Sequence, residues 1–425
     1  MTILLKNARI IDPEQGSDTL GSILIDDGKI SKIMDIPNPV IGAKRTVDCG
    51  GKCLAPGIID IGVKVCEPGE RHKESFSSAG AAAAAGGVTT MVIRPDTSPA
   101  IDSPETLEFV YRRAVSDSRV NVLPMAALTK NREGREMAEI GFLQDTGAVA
   151  FTDCDHVITD NKIFARCLTY ANSQNALVLS HSQDPNLSNG AVATSGALAT
   201  KLGLPAVSVM AERLQLQRDM TLVEMTGARL HIDQLSTAVS LPILKRAKDK
   251  GLRVTAGASI HHLTLNEIDI EGYPTFFKIK PPLRSEDDRI ALVEAVASGL
   301  IDIISSMHTP QDAESKRLPF EGAASGAIAL ETLLPAAMQL IHGEYMDLPT
   351  LWKALSLNPA NLLGLDAGRI AIGAPADLVV FDPDKPFVMD RTQLKSKSKN
   401  TPFDGRRMQG KVLHTFVAGQ EVYTA

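Results

Sequence analysis

Apolar, β-branched runs recur through the middle of the chain and alternate with amphipathic helical stretches. The runs are GIIDIGVKV (57–65), VTTMVIRP (88–95), VNVLPMAAL (120–128), AVAFTD (148–153), ALVLSH (176–181), ARLHIDQL (228–235), LRVTAGAS (252–259) and IDIISS (301–306). Helical periodicity fills most of the gaps, as in SPETLEFVYRRAVSDS (103–118), VMAERLQLQRDMTLVEMTG (209–227), AVSLPILKRAKDKG (238–251) and SEDDRIALVEAVASG (285–299). A glycine often marks the turn into the next strand. Both ends of the chain have another texture. TILLKNARIID and GSILIDDGKISKIM read as strands with an Asp-Gly turn, and GRIAIGAPADLVVFDPDKPFVM and GKVLHTFVAGQEVY read the same way.

Eight strand–helix alternations predict a (β/α)8 TIM barrel, whose sites lie at the C-terminal ends of the strands. The expected division is a barrel over residues 53–367 and a small β-sandwich domain built from 1–52 and 368–425. A doubly wound open sheet is the alternative, but no Gly-rich phosphate loop follows the first strand. AAAAAGG (81–87) ends an Ala-rich helix and is not a nucleotide fingerprint.

Composition narrows the function. A net charge of −6 gives no general basic surface for nucleic acid or anionic membrane, and at 4% aromatic residues there is little material for base stacking. No apolar run approaches the roughly 20 residues of a membrane span. The five cysteines (49, 53, 66, 154, 167) include a C-x3-C with no second Cys/His pair, so reduced thiols and a cytoplasmic location are expected.

A metal-dependent hydrolase on such a barrel gathers His and carboxylate ligands at several strand tips, with a base near the metal-bound water. Here the tips offer Gly62 and Lys64 on the first strand, Asp153 on the fourth, His181 on the fifth, Gln234 on the sixth and Met307 on the eighth. Asp153 and His181 are good ligands. Lys64 repels a cation, Gln234 is a poor zinc ligand, and Met307 is neither a base nor a hard ligand.

APGIIDIGVKVCEPG, GGVTTMVIRPDTSP, GAVAFTD, LSHSQD, RDMTLVEMTGARLHIDQLSTA, VTAGASIHHLTL, PPLRSEDDR and KRLPFEGAASGAIALETLLP appear in that order, followed by GAPADLVVFDPD and SKNTPFDG. In this order the chain resembles the class I dihydroorotases of the amidohydrolase superfamily, over nearly its whole length. The resemblance implies cyclic amide hydrolysis in pyrimidine (UMP) biosynthesis, the interconversion of dihydroorotate and carbamoyl aspartate, and a zinc site. It also places the family's His-x-His metal pair on Gly62 and Lys64, the bridging ligand on Asp153, the strand-five His on His181 and the strand-six His on Gln234. The catalytic Asp falls on Met307. The substrate-binding Arg falls on Cys66, the two Asn positions on Asp96 and Lys280, and the last His of Asp-His-Ala-Pro-His on Gln311.

The expectation is therefore a family member whose metal and catalytic positions have been replaced, with no cofactor, acting as a non-catalytic partner of aspartate transcarbamoylase and forming a homo-oligomer. Two alternatives stay open: an active, zinc-dependent dihydroorotase with a rearranged or single-metal site, and a stand-alone scaffold or anion-binding protein. Asp153 and His181 are expected as remnants, or as ligands of one ion with Asp60 or Cys154. Lys64 and Lys280 are expected to pair with Asp153 and Asp96 or to bind an anion, and Met307 to fill the cavity. His261, His262 and His308 read as structural, and His72 and His156 as loop residues. Ser182 and Ser236 lack a His–Asp setting, and Cys66 and Cys154 read as inert thiols.

Overall fold

The structure, a computed structural model, describes residues 2–39 and 42–425. Its centre is a ring of parallel strands. Ile58–Val63, Val88–Ile93 and Asn121–Pro124 pair in that order, and Leu177–Ser180, Arg229–Ile232, Val254–Ser259 and Ile303–Ser305 form a second run. The predicted strand AVAFTD joins the two runs. Phe151 bridges in parallel to Ala126 on one side and to Val178 on the other. Its neighbours continue the ladder: Val149 N–H donates to Pro124 O at 3.1 Å and Leu179 N–H to Phe151 O at 2.8 Å. The ring closes where Lys64 N–H donates to His308 O at 2.9 Å. These strands are buried on both faces, which is why they read as continuous apolar runs rather than alternating ones.

Helices cover the outside where the periodicity placed them. Pro104–Asp117 begins behind an N-cap Ser103 whose side chain accepts from Thr106 N–H. Met210–Thr226 stops at Gly227, whose φ of 68° ends the helix in the left-handed region and turns the chain into Arg229–Ile232. The Ala-rich helix Phe76–Ala85 packs so closely that a Cβ at Gly86 would stand 1.9 Å from the Leu330 carbonyl oxygen.

The terminal strands form one eight-stranded sheet. Ile3–Asp12 pairs with Ser17–Asp26, Arg45–Asp48 and Cys53–Pro56, and the last of these pairs with Leu378–Val388, which continues through Arg407–Val417 to Gln420–Thr424. This sheet encloses its own core, including Leu5, Ile23, Ile25, Leu54, Leu378, Val380 and Phe416. One boundary moves: residues 53–56, expected at the start of the barrel, belong to the terminal sheet, because their backbone completes the ladder between the N- and C-terminal strands. Trp352 Nε1 donates to Pro56 O and Ser356 Oγ to Gly57 O, fixing this strand to the barrel just before its first β-strand.

Candidate functional site

The strand tips that the sequence singles out do converge at one end of the ring, but they do not build a metal centre. Gly62 sits at φ 100°, a conformation that side-chain-bearing residues rarely adopt. A Cβ at this position would lie 2.7 Å from Met307 Sδ and 3.5 Å from its Cε. The Met307 thioether therefore occupies the space into which a ligand side chain at position 62 would project. Around it, Ile61, Met125, Leu179 and Ile303 supply an apolar wall, and about 10 Å³ remains open, roughly the room for one water.

The polar side of the site is an ion-pair network. Lys64 Nζ lies 3.0 Å from Asp96 Oδ2, and Arg94 donates to the same oxygen at 3.0 Å. Arg94 also faces Asp155 at 3.9 Å, and Lys280 Nζ reaches Asp155 at 3.2 Å. Burial works against the charges of Lys64 and Arg94, but Asp96 outweighs it and holds both pKa values above their ordinary range. Burial likewise opposes ionisation of Asp155, and Arg94 and Lys280 overcome it and hold the carboxyl well below the usual range. Three cations and two carboxylates thus occupy the barrel mouth. Lys64 and Lys280 were expected opposite Asp153 and Asp96. Lys64 does find Asp96, but Lys280 takes Asp155, because Asp153 turns the other way.

Asp153 is buried and caps the preceding loop. Its Oδ1 accepts from Leu128 N–H at 3.0 Å and Thr129 N–H at 2.9 Å, and Thr129 Oγ1 donates to Oδ2. Burial still raises its pKa. His181 is buried with neither ring nitrogen hydrogen-bonded, and its Nδ1 lies 3.4 Å from Asp233 Oδ1. Gln234 donates to Lys280 O at 3.2 Å. Gln311 donates to Ser325 O at 2.8 Å while its backbone N–H meets Asn400 Oδ1. Asp60, considered as an additional ligand, instead accepts from Ser306 N–H at 2.8 Å, and burial pushes its carboxyl up to about 6.

Among the described residues, no three His, Cys, Asp or Glu side chains are placed to hold a metal ion. The residues present do not fit a zinc pair: one ligand position has no side chain, one carries an ammonium, and Arg94 adds a guanidinium to the same mouth. Burial pushes the Cys66 and Cys154 thiols up to about 12, so neither supplies a thiolate near neutral pH. His261 and His262 are buried in the short helix Ile260–Thr264, and His308 Nδ1 accepts from Ala329 N–H at 3.2 Å.

Three participants escaped the sequence reading: Arg94, Asp155 and Asp233. Arg94 had a visible signal, a single charge at the end of the apolar run VTTMVIRP. Asp155 and Asp233 had none beyond lying within two residues of a strand tip already chosen.

The ring of eight parallel strands, its site at the C-terminal tips and the sheet built from both termini define an amidohydrolase-type barrel. Solved structures agree: L-hydantoinase (dihydropyrimidinase) from Arthrobacter aurescens superposes with a TM-score of 0.89 at 25% identity, covering 99% of this chain and 96% of that one. Dihydropyrimidinase from Brevibacillus agri NCHU1002 gives 0.86 at 20% identity, over 100% and 95%. A family model described as Dihydro-orotase-like matches residues 51–240, and one described as Amidohydrolase family matches 327–423. Proteins named dihydroorotase from Syntrophus aciditrophicus (strain SB) and Ehrlichia canis (strain Jake) are each 38% identical, over 100% of this chain and 99% and 95% of theirs. The chain belongs to the dihydroorotase family.

Proposed function

We propose that this chain is a non-catalytic dihydroorotase homologue that serves pyrimidine biosynthesis as a structural partner of aspartate transcarbamoylase. The observation that supports it is the Met307 thioether in the side-chain space of Gly62. It removes a ligand position and leaves, where a proton acceptor belongs, a side chain that cannot accept a proton. With about 10 Å³ left open, a six-membered ring substrate has no place at the centre of the mouth. The partner assignment rests on the resemblance to family members that scaffold the transcarbamoylase.

Full-length identity of 38% to proteins named dihydroorotase favours a second reading, a working enzyme with a rearranged site. One set of measurements separates the two: metal analysis of the purified protein, dihydroorotate hydrolysis, and co-purification with the aspartate transcarbamoylase of its own organism. The proposal expects no stoichiometric zinc, no turnover, and a complex whose transcarbamoylase loses activity or assembly when this chain is deleted. Turnover that depends on zinc and vanishes on His181→Ala would establish the enzyme instead.

A further inference from the structure

A second cavity lies beside the barrel mouth, between residues 311–317, the turn at 275–276 and the C-terminal strap 391–400. Its volume is about 610 Å³, within the usual span for small-molecule sites. Lys316, Arg317, Arg391, Lys397 and Lys399 line it, against Asp312 as the one acidic wall residue.

Three of these cations are held in place without being neutralised. Lys316, only 4% exposed, donates to the backbone carbonyls of Thr275 at 2.9 Å and Lys278 at 3.4 Å. Lys399 donates to Leu394 O and Ser396 O at 2.6 Å each, and Lys397 to Arg71 O at 2.8 Å. Among the described residues no carboxylate comes within 4.0 Å of any of the three. Carbonyl dipoles orient an ammonium but leave its charge in place, and an ammonium has three protons to donate. Asp312 stays ionised, its carboxyl held low by the Ser315 N–H at 2.7 Å, but it is a single negative charge against these cations and faces His72 at 3.6 Å. Burial, with Lys278 nearby, pulls the Lys316 pKa down to about 7, so near neutral pH this amine is only partly charged, and Lys397 and Lys399 carry the standing charge. The lowered Lys316 value is the response of a cation with no counter-ion, and a bound anion would reverse it.

We propose that this cavity binds a phosphate-bearing polyanion. A concave wall with unneutralised, pre-oriented ammonium groups concentrates anions and supplies free donors to phosphate oxygens. Two sources share that chemistry, an inorganic oligophosphate and a nucleotide. Gln311 Oε1, on the same wall, is buried without a donor; the Arg391 guanidinium, paired with Asp404 at 3.2 Å, lies 5.2 Å from the centroid of the Phe276 ring, and Arg317 faces Glu314 at 3.9 Å. An acceptor and a planar cation beside a phosphate site suit a base. The cavity adjoins the barrel mouth and shares Gln311 with it, but its cations play no part in the mouth's ion-pair network, so the proposal does not depend on whether the chain is catalytic.

Isothermal titration of the full chain with sodium tripolyphosphate and with ATP, in low salt and without added metal, tests it. The expected result is about one site per chain with a Kd of about 100 μM or tighter, weakening about tenfold or more as NaCl rises from about 50 to 200 mM. Lys397→Glu and Arg317→Glu, both on exposed side chains, should each weaken binding about tenfold without lowering the thermal midpoint. Lys316→Met should do the same, and if it fails to fold the two surface variants carry the test. ATP binding about tenfold tighter than tripolyphosphate assigns a nucleotide, and equal affinities assign the oligophosphate. Failure of both probes to bind more tightly than about 1 mM at low salt, or binding unchanged by both surface variants, overturns the proposal.

Discussion

Gly62→Ala tests whether Met307 occupies the side-chain space of position 62. The substitution carries two costs. A Cβ at φ 100° forces a side-chain-bearing residue into the left-handed half of backbone space, about 1–2 kcal/mol. The new methyl also meets Met307 Sδ at 2.7 Å. The sulfur lies near the flexible end of its side chain, so it yields by rotating off its preferred geometry for about 0.5–1.5 kcal/mol. Together the loss is roughly 1.5–3.5 kcal/mol. Met307→Ala alone empties a buried position walled by Ile61, Met125, Leu179 and Ile303 and should cost about 2–5 kcal/mol. In the double variant the backbone strain stays but the contact disappears, because no atom other than Met307 Sδ and Cε lies within 4 Å of the added Cβ. The double variant should therefore be about 0.5–1.5 kcal/mol more stable than the sum of the singles predicts. Urea unfolding followed by circular dichroism and by Trp352 fluorescence gives all four corners of the cycle. Two probes check that barrel and terminal sheet unfold together. Additivity within about 0.3 kcal/mol would refute the packing argument and reopen position 62 to a ligand.

Restoring Gly62→His, Lys64→His, Gln234→His and Met307→Asp together should not yield a metal site, because the Arg94 guanidinium still stands in the mouth beside Asp96 and Asp155. Zinc stoichiometry should rise only when Arg94→Met is added, and zinc uptake by the four-residue variant would contradict this. Arg94→Met alone should destabilise the protein by about 1.5–3 kcal/mol, read by urea unfolding, since it removes a charged hydrogen bond to buried Asp96, which keeps only Lys64. A loss below about 1 kcal/mol would mean the network is solvated like a surface pair. Asp60 gives a pH signature. Its carboxyl is raised to about 6 by burial, so its contribution is fully present only below the unfolded value of about 4 and is lost as pH rises from there through 6. Relative to Asp60→Asn, the wild-type protein should lose about 2 kcal/mol between pH 4 and 7, and parallel stability curves for the two would show that Asp60 does not titrate in this range.

The sequence by itself determined the architecture and which side chains stand at the strand tips. Continuous apolar runs separated by helical periodicity mean strands buried on both faces, and parallel strands joined by helices close into a barrel. Local signals such as Ser103 before a helix and Gly227 after one are contained within a few residues. The strand-tip residues were legible for the same reason: a strand tip is fixed by its own run, so Gly62, Lys64, Gln234 and Met307 could be placed without knowing their neighbours. What fills the space was decided only by the tertiary structure. Met307 reaches Gly62, Lys280 reaches Asp155 and Arg94 reaches Asp96 across different strands or loops. Lys280 takes Asp155 because Asp153 is already engaged by Leu128 and Thr129. Partner choice among several nearby charges depends on side-chain direction and on which acceptors the backbone has already claimed. Even the junction at 53–56 went to the terminal sheet because a ladder between strands from opposite ends of the chain needed it. Such choices are set by three-dimensional competition for hydrogen bonds and volume, which no local stretch of sequence encodes.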